Sequence, residues 1–282
     1  MAEWQTRRIQ NPLGFNARAG SSPAPGTIRK FLKYSLAILG LIFALYPIFK
    51  NGLPDIKFSP SSFLLSVLIM LLAYTLLPLI WFFVAQIFGI FISFPDAVFS
   101  WYLSSIGRYI PGKVWQFVVR AAILNHPFGS VFSATLYEHL ILMAGAGLFS
   151  LIFPKFLYIQ LGTIFVLLLV LFLWKFSIKT LIPLILSLVY WSLVCLSAYF
   201  TSRALNLKFG YPEISFVYSF SFVASYVLPL TPAGLGIREG IISLLMGYDP
   251  KSSSFAILTR LIILVVDIIM LAFGFLYKRF AR

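Results

Sequence analysis

The chain has 282 residues, of which 60% are hydrophobic and 11% charged, and its mean hydropathy is +0.95. No soluble domain of this length needs so much apolar surface, which excludes a water-soluble enzyme and indicates an integral membrane protein. The formal charge of +14 would suit nucleic acid, but most of the basic residues flank apolar stretches. There they act as topology signals and meet anionic lipid head groups, so lipid rather than nucleic acid is the expected partner.

Residues 1–30 are polar and rich in Pro, Gly, Ser and Arg, and read as a flexible basic cytosolic tail. They do not read as a cleavable signal peptide, because the apolar run begins late and no small-residue cleavage site follows it. Apolar spans follow at roughly 31–49, 61–93, 130–153, 157–175, 180–202 and 253–277. Each reaches the ~20 residues that cross ~30 Å of hydrocarbon. Pro78 predicts a kink in the second span by removing a backbone hydrogen bond. The single cysteine, Cys195, lies in an apolar run and can form neither an internal disulfide nor a cysteine metal cluster.

Two further segments, 95–124 and 212–246, are apolar but broken, and they copy each other. Phe94-Pro95-Asp96 opens the first, which continues through Arg108-Tyr109-Ile110-Pro111-Gly112-Lys113. Tyr211-Pro212-Glu213 opens the second, which continues through Tyr226-Val227-Leu228-Pro229 to Pro232-Ala233-Gly234-Leu235-Gly236-Ile237-Arg238-Glu239-Gly240. The two prolines of the openings, Pro95 and Pro212, stand 117 positions apart. Residues 97–110 and 113–124 are each too short to cross alone at ~1.5 Å per residue, which predicts a re-entrant helical hairpin. The second segment has the same shape.

The expected fold is therefore an all-α polytopic bundle of eight hydrophobic segments: six full spans and two hairpins. Each half, 31–153 and 157–282, holds two spans, a hairpin and one span. Three crossings are an odd number, so the second copy is inverted relative to the first. With the N-terminus in the cytosol, the inner segments carry eleven Lys and Arg and the outer ones six, which places both termini in the cytoplasm. A chain in which each motif merely kinks an ordinary span would instead have eight crossings and parallel repeats.

Charges inside apolar segments cost at least ~2.5–3.5 kcal/mol on insertion scales, so they mark function or pairing. Five basic residues qualify: Arg108, Lys113, Arg120, Arg238 and Arg260. A helix that restarts after Pro-Gly or Gly-x-Gly turns free N–H groups and a positive dipole end toward the gap, an arrangement that binds phosphate. Arg adds a forked donor set suited to phosphate oxygens. Arg108, Tyr109, Gly112, Lys113, Gly234, Gly236, Arg238 and Glu239 are accordingly the candidate substrate-binding residues. Glu138 lies 27 positions after Pro111 and Arg260 lies 28 after Pro232, which predicts matched places in the two halves. Asp267 lies two turns beyond Arg260 on one helical face. Glu138, Arg260 and Asp267 are thus the candidates for an intramembrane charge pair that joins the halves. Trp101, Tyr102, Tyr109 and Trp115 cluster near the first hairpin, where they could line an acyl groove. His126 and His139 make no metal site, the sequence holds no Ser-His-Asp set or Walker loop, and no cofactor or catalytic residue is assigned.

Gly107-Arg108-Tyr109-Ile110-Pro111-Gly112-Lys113-Val114-Trp115 and Pro232-Ala233-Gly234-Leu235-Gly236-Ile237-Arg238-Glu239-Gly240 resemble the signature segments of the lysylphosphatidylglycerol synthase transmembrane region, the flippase-like membrane domain of the multiple peptide resistance factor. Glu138 and Arg260 match charged positions of that pattern, and the resemblance covers about residues 31–280. It implies a domain that moves a phospholipid between leaflets. The soluble synthase domain of the best-known members is missing from these 282 residues, so synthase activity is not carried over. Relatives without it are associated with varied lipids, including polyprenyl-phosphate sugars and hopanoids. Tyr137-Glu138-His139 departs from the Glu-Arg pair common in the family. The expectation is a plasma-membrane lipid translocase for a phospholipid or polyprenyl-phosphate-type anionic lipid. The rival readings are an intramembrane lipid-linked transferase, with Glu138 or Glu239 as base, and a non-transporting partner of a glycosyltransferase. Membrane lipids surround it in each case, and a homo-oligomer or a membrane enzyme is the protein partner these readings allow.

Overall fold

The computed structural model describes residues 25–110, 114–152, 157–175, 177–227, 231 and 234–280, and every regular element among them is a helix. In chain order these are α1 (Pro25–Asn51), α2 (Pro60–Ile87), α3 (Phe94–Ser105) running into a 3₁₀ turn (Ile106–Tyr109), α4 (Trp115–Leu124) and α5 (Phe128–Ser150). Then come α6 (Leu157–Lys175), a second 3₁₀ turn (Ile178–Thr180), α7 (Leu181–Ala204), α8 (Tyr211–Val227), α9 (Ile237–Leu245) and α10 (Pro250–Phe280). The segments Pro60–Ile87, Phe128–Ser150, Ile178–Ala204 and Pro250–Phe280 are long and apolar enough to cross a membrane. The helices α1 and α6 cover the other two ranges expected of spans.

The two aromatic-Pro-acid openings are helix starts. In each, Pro takes the second helical position, where its missing N–H costs nothing. Ser93 Oγ then accepts from Asp96 N at 3.3 Å and bonds its carboxylate at 2.6 Å, at the head of α3. At the head of α8, Glu213 Oε2 accepts from Gly210 N at 2.9 Å. Both acids sit three residues beyond the group they bond, the spacing of a capping box. The breaks also fall where expected, since α3 and α8 end ahead of the Pro-Gly stretches. At ~1.5 Å per residue, the 12 residues of α3 reach about 18 Å and the 10 of α4 about 15 Å, well short of the hydrocarbon. Gly107 lets them close up, since a Cβ there would meet the backbone N of Gln116 at 2.5 Å.

The helix α2 runs unbroken through Pro78. Proline leaves the carbonyl four residues back without its helical donor. That carbonyl belongs to Tyr74, and the Tyr102 hydroxyl donates to it at 3.1 Å, so α3 makes good what Pro78 removes.

The bundle is centred on α2 and α7, which share the most extensive helix contact. Small polar side chains let these two approach: Ser66 Oγ donates to Ser197 O and Ser197 Oγ to Ser66 O, both at 2.9 Å, with Thr201 Oγ1 2.6 Å from Ser66 Oγ. Short polar side chains bridging close backbones are a recurrent glue between apolar helices. Around this pair the halves exchange partners, with α3 packing on α10 and α8 on α5. The core holds Trp81, Trp191, Tyr137 and Tyr218, all fully enclosed. The outside of α2, α6, α7 and α10 presents Leu, Ile, Val and Phe, as a lipid-facing surface requires.

Candidate functional site

A cavity of about 460 Å³ lies between the tip of the α3–α4 unit, the start of α9, and the inner faces of α2, α5, α7, α8 and α10. It has two kinds of wall. Arg108, Arg238, Arg260, His139 and the ring edges of Tyr74, Tyr109, Tyr190, Tyr218 and Tyr226 form the polar part. Phe117, Phe132, Leu136, Leu140 and Met143 form an apolar part, mostly a single face of α5, and Leu136 is 36% exposed at its edge.

Arg108 stands in the 3₁₀ turn that ends α3. Its Nε donates to Ser105 O at 2.9 Å and its Nη2 to Asp267 Oδ1 at 2.9 Å. The Tyr109 hydroxyl donates to the other oxygen of Asp267. One carboxylate on α10 thus holds two neighbouring residues of the first motif. The Tyr109 ring also faces two guanidinium groups, those of Arg108 at 5.7 Å and Arg260 at 5.9 Å.

The second motif is arranged differently. Gly234 and Gly236 take φ of +71° and +82°, which L side chains rarely adopt, so the turn into α9 requires glycine there. Glu239 then folds back, and its Oε2 accepts from Gly236 N at 2.7 Å. Its Oε1 lies 3.7 Å from Arg260 Nε on α10. The helix start expected to receive a phosphate is therefore capped in part by the chain's own carboxylate. Arg238, one residue earlier, turns into the cavity. It is 9% exposed, and its guanidinium lies 4.3 Å from the Tyr218 ring and 5.8 Å from that of Phe222. Among the described residues no carboxylate pairs with it and its Nε has no hydrogen-bond partner.

Of the predicted binding residues, Arg108, Tyr109, Gly234 and Arg238 are brought to one cavity. Gly236 and Glu239 lie behind its wall, as a turn and its cap. Gly112 and Lys113 lie outside the described residues.

The expected Glu138–Arg260 pair does not form. Glu138 accepts from Arg120 Nη1 at 2.5 Å and from Trp101 Nε1 at 2.6 Å. Arg120 also donates its Nε to Ser104 Oγ at 3.0 Å and lies 4.2 Å from the Trp81 ring. Asp267 likewise pairs with Arg108 rather than Arg260. Glu138 meets the short helix before it, α4, and Arg260 meets the short helix before it, α9, so each pair closes its own half with the charges exchanged. Spacing along the chain does not fix which way a helix face turns, and the rotation of each helix chose the partner.

The expected acyl groove is not built from the aromatic cluster. Trp101 and Tyr102 are core residues committed to Glu138 and to the Tyr74 carbonyl, Trp115 is 46% exposed, and only Tyr109 lines the cavity.

Sequence reasoning also missed the role of His139 and of four tyrosines. His139 Nδ1 lies 2.6 Å from Thr135 O; a carbonyl only accepts, so Nδ1 carries the proton and Nε2 is the nitrogen left for other contacts. Tyr74, Tyr190 and Tyr218 sit within helices rather than at their ends, and that placement is the signal the sequence offers for them, since interfacial tyrosines gather at span ends; Tyr226 stands one residue before the end of α8. No family model matches the chain, and no curated protein matches it.

Proposed function

We propose that the protein is an integral membrane lipid translocase that takes an anionic phospholipid or polyprenyl-phosphate-type head group into this cavity and passes it between leaflets. The observation that carries the reading is Arg238, a guanidinium nine-tenths buried beside a cavity with no carboxylate on it among the described residues. A lone buried cation is costly, and an anionic ligand is the simplest compensation. The apolar wall from Phe132 to Met143 suits the chain of an amphiphile, and the partly exposed Leu136 marks where that wall meets lipid. The motif resemblance to a flippase-like domain points the same way.

The architecture that goes with this reading is two inverted repeats, each of two spans, a re-entrant hairpin and one span. The exchanged packing of α3 on α10 and α8 on α5 supports it, as does the self-equivalent α2–α7 contact at the centre. Both halves bring a broken segment to one cavity, which is how inverted-repeat transporters build a site near the midplane. For the transferase alternative, Glu138 and Glu239 are the candidate bases. Both are committed to arginine and neither lines the cavity. The plasma membrane is the proposed location, with both termini cytoplasmic.

The test is exchange of fluorescent lipids between leaflets in proteoliposomes, read by quenching of the outer leaflet. Purified protein should make the inner pool accessible, and Arg238→Ala should abolish this at normal membrane abundance. Arg238→Lys should keep part of the activity, because it retains charge but loses the fork. Exchange by Arg238→Ala at the wild-type rate would remove the head-group role of Arg238.

A further inference from the structure

We infer that the cavity selects a head group with a single net negative charge, so that a phosphodiester lipid is favoured over both a dianionic phosphomonoester and a zwitterion. The inference rests on the lipid-binding part of the translocase reading and narrows the ligand by counting charge around the cavity. Among the described residues three guanidinium groups line it, those of Arg108, Arg238 and Arg260. Two of them are already answered by carboxylates, Arg108 by Asp267 at 2.9 Å and Arg260 by Glu239 at 3.7 Å. Arg238 is the third. Its ring neighbours Tyr218 and Phe222 offer π faces but no formal charge.

His139 adds nothing to the sum at alkaline pH, since an ordinary imidazole is neutral at about pH 8.5. The described residues around the cavity therefore carry one uncompensated positive charge. Desolvation makes any mismatch expensive, so the preferred ligand brings one negative charge. A dianion would leave one negative charge unanswered, and a zwitterion would leave Arg238 opposed by its own cationic end. The Tyr218 hydroxyl, buried and without a hydrogen-bond partner among the described residues, is a second donor at the same place. Its ring lies directly beneath the Arg238 guanidinium, so a phosphate oxygen that reaches one is near the other.

Binding tests this independently of movement. Native mass spectrometry of the purified protein would be titrated at about pH 8.5 with three lipids of matched chains. These are phosphatidylglycerol with one charge, phosphatidic acid with two, and zwitterionic phosphatidylcholine. Phosphatidylglycerol should bind ~10-fold or more tightly than either of the others. Two variants move the count in opposite directions. Arg238→Gln takes it to zero and should erase the advantage of phosphatidylglycerol over phosphatidylcholine. Glu239→Gln keeps an oxygen to cap Gly236 but frees the charge of Arg260, taking the count to two and shifting preference toward phosphatidic acid. A purely structural role for either residue would lower all three affinities together and leave their order unchanged.

Equal wild-type affinity for the three lipids overturns the inference while leaving a lipid-binding translocase standing. An unchanged order in both folded variants overturns it as well. Failure of every lipid to bind the wild type overturns this inference and the head-group reading together. The wild-type ranking decides the matter even where a variant does not fold.

Discussion

Arg120 and Arg238 are both buried guanidinium groups beside aromatic rings, and among the described residues only the first has a carboxylate partner. Arg120 has Glu138 at 2.5 Å, Ser104 at 3.0 Å and the Trp81 ring at 4.2 Å, all within the protein. Arg238 has rings and an open cavity. The first arrangement is closed by a carboxylate of the protein, and the second leaves the charge beside the cavity, which is the basis of the proposed head-group site. Removing one partner of a buried pair strands the other and typically costs about 3–5 kcal/mol, whereas removing both can be nearly neutral. Glu138→Gln and Arg120→Gln should each lower unfolding stability in detergent by an amount of that order. The double variant should recover much of the loss, with a coupling energy above ~0.5 kcal/mol. Glu138→Gln combined with Arg260→Gln should instead be additive, since those residues belong to different pairs. A large coupling between Glu138 and Arg260 would show that the helices are rotated differently from the geometry described above.

The charged positions were legible in the sequence because intramembrane charge is rare and conspicuous. Their pairing was not. Successive residues on a helix are turned by about 100°, so a spacing of 27 or 28 from a proline fixes height but not the facing side. Tyr74 and Tyr190 were illegible for another reason. An aromatic in an apolar run looks the same whether it faces lipid, core or cavity, and only packing tells them apart.

At the scale of the element, the two broken segments are short helices whose positions depend on glycine. The Phe94-Pro95-Asp96 and Tyr211-Pro212-Glu213 openings could be read ahead of any structure because capping is local chemistry within four residues. Close approach between helices is not local, and the importance of Gly107 and Gly145 emerges only from the fold. A Cβ at Gly107 would lie 2.5 Å from the backbone N of Gln116, and one at Gly145 would lie 2.1 Å from Ser187 Oγ. The first obstacle is rigid backbone and the second is the end of a side chain that can rotate. Gly107→Ala should therefore cost more than Gly145→Ala, with overpacking of this kind typically worth about 1–3 kcal/mol. It should also weaken lipid binding, because Arg108 and Tyr109 follow directly in the chain. Parallel thermal melts and binding titrations check both points. A Gly107→Ala protein with wild-type stability and binding would mean that α3 and α4 are not held by this contact. Gly40 makes a similar demand on α1, where a Cβ would meet the backbone of Gly236 at 2.8 Å, so the first helix is seated against the turn that presents Arg238.

At the scale of the whole molecule, the exchanged packing of α3 on α10 and α8 on α5 ties each broken segment to the opposite half. Alternating access in inverted-repeat transporters is largely a rocking of one repeat against the other around a fixed site, and that is the motion the proposed architecture would use. Topology provides the sharpest test. Gly129 and Lys251 stand in matching places, at the starts of α5 and α10, and both are exposed. If the halves are inverted, these positions lie on opposite faces of the membrane, with Gly129 cytoplasmic and Lys251 outside. Gly129→Cys has open space around the new Cβ, and the native Cys195 is fully buried, so single-site labelling is feasible without removing it. A membrane-impermeant maleimide applied to intact cells should label Lys251→Cys and leave Gly129→Cys unlabelled, and permeabilisation should reverse only the second result. In the alternative architecture, where each broken segment is one kinked crossing, three full spans precede Gly129 and seven precede Lys251. Both would then face outward and label from outside. Labelling of both cysteines in intact cells would thus replace inverted repeats with parallel ones, and the two motifs would have to approach the cavity from the same side.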